Sequence, residues 1–137
     1  VKNIKSQISI IKKLSKLHNI KLSFEDGVGY CSSSRINNEI IIDRKQIDNT
    51  IHKENKKYFE RCEYDFDYFI LNSFLHELGH QKQRLNWSKE KLEKYRFEVD
   101  NLYTLNINYE ECYSEKVANR FARRWRKPII KKTLERE

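Results

Sequence analysis

His76-Glu77-Leu78-Gly79-His80 sets two imidazoles four residues apart with a carboxylate between them. On an α-helix such residues share a face one turn apart, so His76 and His80 can offer two neutral nitrogens to one ion at about 2.0–2.1 Å, a donor pair that suits zinc. Glu77 points about 100° round the helix from His76, off the line of the ligands. From there its carboxylate can take a proton from a metal-bound water, the position of a general base. Gly79 has no side chain and leaves room for a neighbouring segment or a substrate backbone close to the metal.

A hydrolytic zinc site needs a third protein ligand and an open fourth position. No histidine follows His80, and Asn86 stands where the extended metzincin spacing would require one, so the third ligand has to be a carboxylate. Glu98, Asp100, Glu110, Glu111 and Glu115 are the candidates. Glu115 has the most informative neighbourhood. It shares one helix face with Ala118 and Ala122 at i, i+3 and i+7, and small residues let two helices approach closely. Glu111, one turn earlier, could accept the second N–H of a ligating histidine or serve a helix cap.

These residues need elements to position them. Ile4, Ile8, Ile11, Leu14 and Leu17 recur at helical spacing, which predicts an amphipathic helix from about Lys2 to His18. Gly27 and Gly29 break the period, and the stretch from Val28 to Asp43 reads as a short hairpin or two strands centred on Ile40-Ile41-Ile42. A thin apolar stripe of Ile47, Ile51, Tyr58 and Phe59 fits a polar helix from about Gln46 to Arg61. The motif itself falls on a strongly apolar helical segment from Asp65 to Arg84, with Asp65 and Asp67 at its dipole-favoured start. Ser88 can cap a further helix to about Leu102, Asn108 with Glu111 resembles a capping box for the last helix, and Pro128 marks where that helix should stop or bend. The expected class is α+β, mostly helices with a small N-terminal sheet or hairpin.

At 137 residues the chain is long enough for one core and too short for two, so residues 1–137 are read as one domain. Only three Gly and one Pro, with 12% aromatics, favour a compact helical protein over a disordered one. No apolar run approaches the roughly 20 residues of a membrane span, and lysines interrupt the N-terminal region, so neither span nor signal peptide is expected. Cys31, Cys62 and Cys112 form no C-x-x-C pair, which argues against a disulfide framework or a cysteine-built zinc site and for a reducing cytoplasm. The Lys-, Asn- and Ile-rich composition is of the kind that AT-rich bacterial, phage or viral genomes encode. The chain begins at Val1 and contains no Met, from which a removed or trimmed start is expected.

Two segments resemble the ImmA/IrrE metallopeptidases, members of the gluzincin group. One is Phe74-Leu75-His76-Glu77-Leu78-Gly79-His80; the other, Glu115-x-x-Ala118-Asn119-x-Phe121-Ala122 with Pro128 beyond it, is similar to that family's E-x-E-A-N-x-F-A segment and trailing proline. Val117 stands where the family usually has a second glutamate, and Arg123-Arg124-Trp125-Arg126-Lys127 replaces an apolar run, suggesting a helix end that faces solvent or something acidic. The resemblance implies a compact zincin-like domain that hydrolyses peptide bonds of a protein substrate, such as a regulatory protein or repressor. Zinc would be held by His76, His80 and Glu115, and Glu77 would move the proton. A tyrosine such as Tyr30 or Tyr113 could stabilise the oxyanion; His18 and His52 suit cap or surface roles.

A rival expectation is a non-catalytic regulatory or nucleic-acid-binding protein with a structural zinc site. The net charge of +8 and the cluster Arg120, Arg123, Arg124, Arg126, Lys127, Lys131, Lys132 and Arg136 could hold a polyanion or an acidic protein. No helix-turn-helix, phosphate loop or stacked-aromatic RNA motif accompanies that charge.

Overall fold

A computed structural model describes residues 2–26, 32–34, 38–43 and 56–134. Helix α1 (Ile4–Leu17) leads into strand β1 (Lys21–Glu25), and β2 (Ser32–Ser34) and β3 (Glu39–Asp43) follow. Helices α2 (Lys56–Arg61), α3 (Phe69–Asn86), α4 (Lys89–Asp100) and α5 (Leu102–Leu105) come next, then a 3-10 turn (Tyr109–Glu111) and α6 (Tyr113–Ile129). The class is α+β, mostly helical. None of the described helices is long and apolar enough to cross a membrane.

The expected strand pair is present as β2 antiparallel to β3, with Ser33 opposite Ile40. A third strand, β1, was not expected; it pairs parallel to β3 in the register Leu22 to Ile40 and Phe24 to Ile42, giving the order β1-β3-β2. The central strand alternates: Ile40 and Ile42 are fully buried while Ile41 is only partly so, the period-two pattern of a strand with one covered face. Gly27, Val28, Gly29, Tyr30, Ile36, Ile47, Ile51 and His52 lie outside the described residues, as does the start of the helix expected from Gln46.

Helix α3 is the core's axis. Phe69, Ile70, Leu71, Phe74, Leu75 and Leu78 are all fully buried, so apolar residues cover more than one face. One side meets Ile11 of α1 with Ile40 and Ile42 of β3, and Ala122 of α6, Ile130 and Leu134 complete the same cluster. Phe69 packs edge-on against Phe59 of α2 at 4.7 Å. The helix begins four residues later than Asp65. Asp65 Oδ1 instead accepts the backbone N–H groups of Asp67 and Tyr68 at 3.1 and 3.3 Å, a local turn that launches the helix.

The apolar stripe expected on α1 is partly polar. Ile11 is buried, but Leu17 is 76% exposed, and Gln7 and Ser15 occupy buried positions instead. Gln7 has a full set of partners: Nε2 donates to the carbonyls of Lys2 and Asp67, and Oε1 accepts the Leu71 N–H at 2.9 Å. A buried amide with this many bonds fastens α1 to the start of α3 at little desolvation cost.

The last helix departs from expectation at its start. Asn108 and Glu111 cap no helix as a box: Asn108 Nδ2 donates to Glu111 Oε1 at 2.9 Å across the 3-10 turn, and α6 begins at Tyr113. Its cap comes from another element, because Glu98 Oε1 on α4 accepts the Tyr113 N–H at 3.0 Å. Pro128 lies one residue before the α-helix ends, close to where a stop or bend was expected. The chain passes through it to Ile129 and then widens into a π turn over Ile130–Leu134. The burial of Ile130 and Leu134 holds this turn on the core.

Candidate metal centre

Gly79 decides how near α3 and α6 can come. A Cβ there would stand 3.2 Å from the Ala118 Cα and 3.2 Å from a ring carbon of Phe121, so the space expected for a neighbouring segment is filled by α6 itself. Ala118 and Ala122 are buried along the same face, as the small-residue spacing implied. Helix axes this close bring a short carboxylate on one helix within reach of imidazoles on the other.

Three side chains converge there. Glu115 Oε2 lies 2.9 Å from His76 Nε2 and 2.9 Å from His80 Nε2, and the two imidazole nitrogens are 3.2 Å apart. His76 and Glu115 are buried, Glu115 to 2% exposure, and His80 is partly open. This is a group close enough to hold one metal ion.

The hydrogen bonds behind the imidazoles set their tautomers. His76 Nδ1 lies 2.6 Å from Asn119 Oδ1 and His80 Nδ1 lies 3.1 Å from Gln83 Oε1. An amide oxygen only accepts, so both Nδ1 atoms carry hydrogen and both Nε2 lone pairs face Glu115. Gln83 is fixed in turn by donating to the Ser114 carbonyl at 2.8 Å. Three lone pairs aimed at one point repel unless a cation sits among them, and a proton or a metal ion can supply that charge. The titration behaviour agrees. Burial by itself would raise the Glu115 carboxyl, but hydrogen bonds from His76 and His80 outweigh it and hold the group well below the usual carboxylate range. Burial would likewise lower His80, yet its bond to Glu115 and the charges of Glu115 and Glu77 push it up to about 9.

Each rejected carboxylate is otherwise engaged. Glu98 caps α6, Glu110 pairs with Arg61 at 2.5 Å, Glu111 holds Asn108, and Asp100 lies 3.5 Å from Arg96 on the surface of α4. Glu111 is therefore not the orienting partner of a histidine; Asn119 and Gln83 are. Both were legible as helix spacings, Gln83 three residues after His80 and Asn119 four after Glu115, although an amide gives no compositional signal of its own.

Glu77 is partly exposed beside the group, near enough for its charge to reach His80 and Tyr109. Of the two tyrosines considered, Tyr30 lies outside the described residues, and Tyr113 is held in a stack with Tyr95 at 4.3 Å and Trp87 at 5.8 Å. Tyr109, not singled out from sequence, lies near the group, as do Tyr58, on which the Glu115 charge also acts, and Tyr64, whose ring is 6.1 Å from that of His76. Although Tyr109 is 42% exposed, desolvation of its phenol and the nearby Glu115 charge push it far above the usual tyrosine range. His18 follows the last residue of α1, as a cap position implied, with its ring 5.6 Å from Trp125.

The basic run on α6 is less free than its composition suggests. Arg123 pairs with Glu63 at 2.5 Å, Arg126 donates to the Asn72 side chain and to the Glu63 carbonyl, and Trp125 stacks on Phe121 at 4.8 Å. Arg124, Lys127, Lys131 and Lys132 face solvent, and Arg136 is outside the described residues. Comparisons of the chain with protein-family models, with curated proteins and with solved structures return no match.

Proposed function

We propose that this chain is a zinc-dependent endopeptidase of the ImmA/IrrE kind, with His76, His80 and Glu115 as metal ligands and Glu77 as general base. The observation that carries the reading is the convergence of three donor atoms at 2.9–3.2 Å from one another, with both histidine Nδ1 hydrogens turned outward to amide oxygens. Zinc bonds of about 2.0–2.1 Å at tetrahedral angles separate neighbouring ligand atoms by about 3.3 Å, so the group needs to open by only a few tenths of an ångström. Two imidazoles and one carboxylate are a donor set that zinc accepts readily.

Ligand count favours catalysis over a structural role. Structural zinc sites close the coordination sphere with four protein ligands, whereas hydrolytic sites use three. Among the described residues no fourth His, Cys, Asp or Glu joins the group. Zinc held there supplies Lewis acidity, acidifying water and polarising a carbonyl. Glu77, beside the ligands and partly open to solvent, takes a proton from water at its carboxylate and returns it to the departing amine nitrogen. Tyr109, on which the Glu115 charge acts, is the tyrosine assigned here to donating a hydrogen bond to developing negative charge, since Tyr113 is held in its aromatic stack. Asn119 and Gln83 hold the imidazoles in register. The resemblance points to a regulatory protein, such as a repressor, as substrate. A cytoplasmic setting accompanies this reading, since Cys62 and Cys112 are buried free thiols.

The test is metal content by mass spectrometry together with cleavage of candidate partner proteins by the wild type and Glu77→Gln. Zinc at one equivalent in both, with cleavage reduced about 10²–10⁴-fold in the variant, is expected. Protein purified without zinc, or equal cleavage by the two, defeats the reading.

A further inference from the structure

Next to the ligand face of α6 lies a cavity of about 500 Å³, walled by α2, the 3-10 turn and α6. With each residue advancing about 100°, Asn119 stands about 40° round the helix from Glu115, Arg123 about 80°, Lys116 about 100° and Arg120 about 140°. The cavity wall is thus the sector of α6 adjoining the one that presents the metal ligand. Asn119 belongs to both, since it lines the cavity while its Oδ1 holds His76.

Four cationic side chains border this space against two carboxylates. Arg61 is matched by Glu110 and Arg123 by Glu63, each at 2.5 Å, whereas Glu111 accepts only from the neutral amide of Asn108 and keeps its charge. Among the described residues, Lys116 and Arg120 have no ion-pair partner. Two cations without an ion-pair partner, one helical turn apart, therefore share a recess beside the candidate metal site with one such carboxylate, Glu111, leaving an excess of one positive charge. Its volume falls within the range of about 300–1,000 Å³ typical of small-ligand pockets.

We propose that this cavity receives an acidic side chain of the peptide substrate, with Lys116 and Arg120 pairing its carboxylate, so that cleavage selects an aspartate or glutamate near the scissile bond. The proposal rests on the peptidase reading for its role but not for its binding chemistry. A nucleic acid fits the recess less well, because tight binding to its backbone draws on about six to ten phosphate contacts along an open surface and only two free cations stand here.

Binding is measured by fluorescence anisotropy on the full chain carrying Glu77→Gln, using labelled hexapeptide pools with one fixed Glu or one fixed Gln among degenerate uncharged positions. Zinc content and wild-type cleavage are measured in parallel. A preference for the Glu pool of about five- to tenfold is expected from a partly enclosed ion pair, falling to about one in both Lys116→Gln and Arg120→Gln. Both substitutions are at exposed positions of a formed helix, and circular dichroism checks that the fold is kept. Equal binding of the two pools, binding of neither, or a preference that survives both substitutions overturns the proposal. So does displacement of the Glu pool by a 20-nucleotide single strand at equimolar concentration, which would assign the recess to polyanions. A Glu preference in protein that neither holds zinc nor cleaves would leave the cavity standing and remove the peptidase reading, so the two fail separately.

Discussion

Helices α3 and α4 follow one another with only Trp87 and Ser88 between them, yet they do opposite work. α3 buries residues on nearly every side of its 18 positions, and α4, 12 residues long, buries none. Side chains that must meet a metal ion have to be held within about 0.5 Å, and only an element wedged between neighbours achieves this. α4 acts through its ends instead. Ser88 Oγ accepts the Lys91 N–H at 3.2 Å to start it, and Glu98 reaches across to start α6. One helix carries two of the three candidate ligands and the other fixes where the helix bearing the third begins. The contrast teaches that the site's precision comes from packing, while the outer helix contributes a few directed hydrogen bonds.

The largest expected effect would break this contrast if it failed. Phe74→Ala on α3 should cost about 3–5 kcal/mol, because a fully buried ring leaves a cavity that the surrounding structure only partly closes. Urea unfolding measures it, and a loss below about 1 kcal/mol would mean that α3 is not the rigid axis described. Next comes Asn119→Ala, which removes the acceptor that turns His76 toward Glu115. Loss of such an outer partner lowers metal affinity about 10–100-fold, read by competition with a chelator. An unchanged affinity would place the control of the imidazole elsewhere.

A graded effect follows from the proton and the metal seeking the same lone pairs. His80, raised to about 9 from an ordinary 6.5, lends the metal-free fold a stability fully present below pH 6.5 and lost as pH climbs toward 9. Glu115, depressed from 4.5, lends a stability present above pH 4.5 and lost as pH falls through its folded value. Unfolding of chelator-treated protein should therefore show these two contributions together between pH 4.5 and 6.5. Zinc affinity should rise with pH up to about 9, with proton release seen by calorimetry in buffers of different ionisation enthalpy. Zinc affinity independent of pH from 6 to 9 would contradict the shared site. The smallest effect belongs to α4, where Phe97→Ala, at a side chain 57% exposed, should change stability by no more than about 0.5 kcal/mol.

What could be read in advance followed strong local period. The α3 segment announced itself by its apolar density, Ser88 by its cap chemistry, and the His76, His80 and Ala118, Ala122 faces by helical spacing. β1 escaped notice because Lys21–Glu25 has only Leu22 and Phe24 as alternating apolar residues, and its strand form comes from pairing with β3. Leu17 was misplaced because period marks a face without saying where the core ends. The buried Gln7 was invisible because its three partners come from Lys2, Asp67 and Leu71. The arginines of α6 looked like a free basic surface since nothing in their own segment reveals that Glu63 and Asn72 take up Arg123 and Arg126.

By itself the sequence determined the donor types, the one-turn spacing that aligns His76 with His80, and the need for a carboxylate to join them, because all three are properties of a helix and of residue chemistry. Among five carboxylates the sequence favoured Glu115 through its small-residue face and a family resemblance, but what brings it to the histidines is visible only in three dimensions. Glu115 meets histidines 35 and 39 positions away because the bare Gly79 lets Ala118 approach within van der Waals range, while Glu98, Asp100, Glu110 and Glu111 are drawn to other partners. A helix–helix distance is set by what both surfaces lack as much as by what they carry, and no local pattern in either segment records the sum.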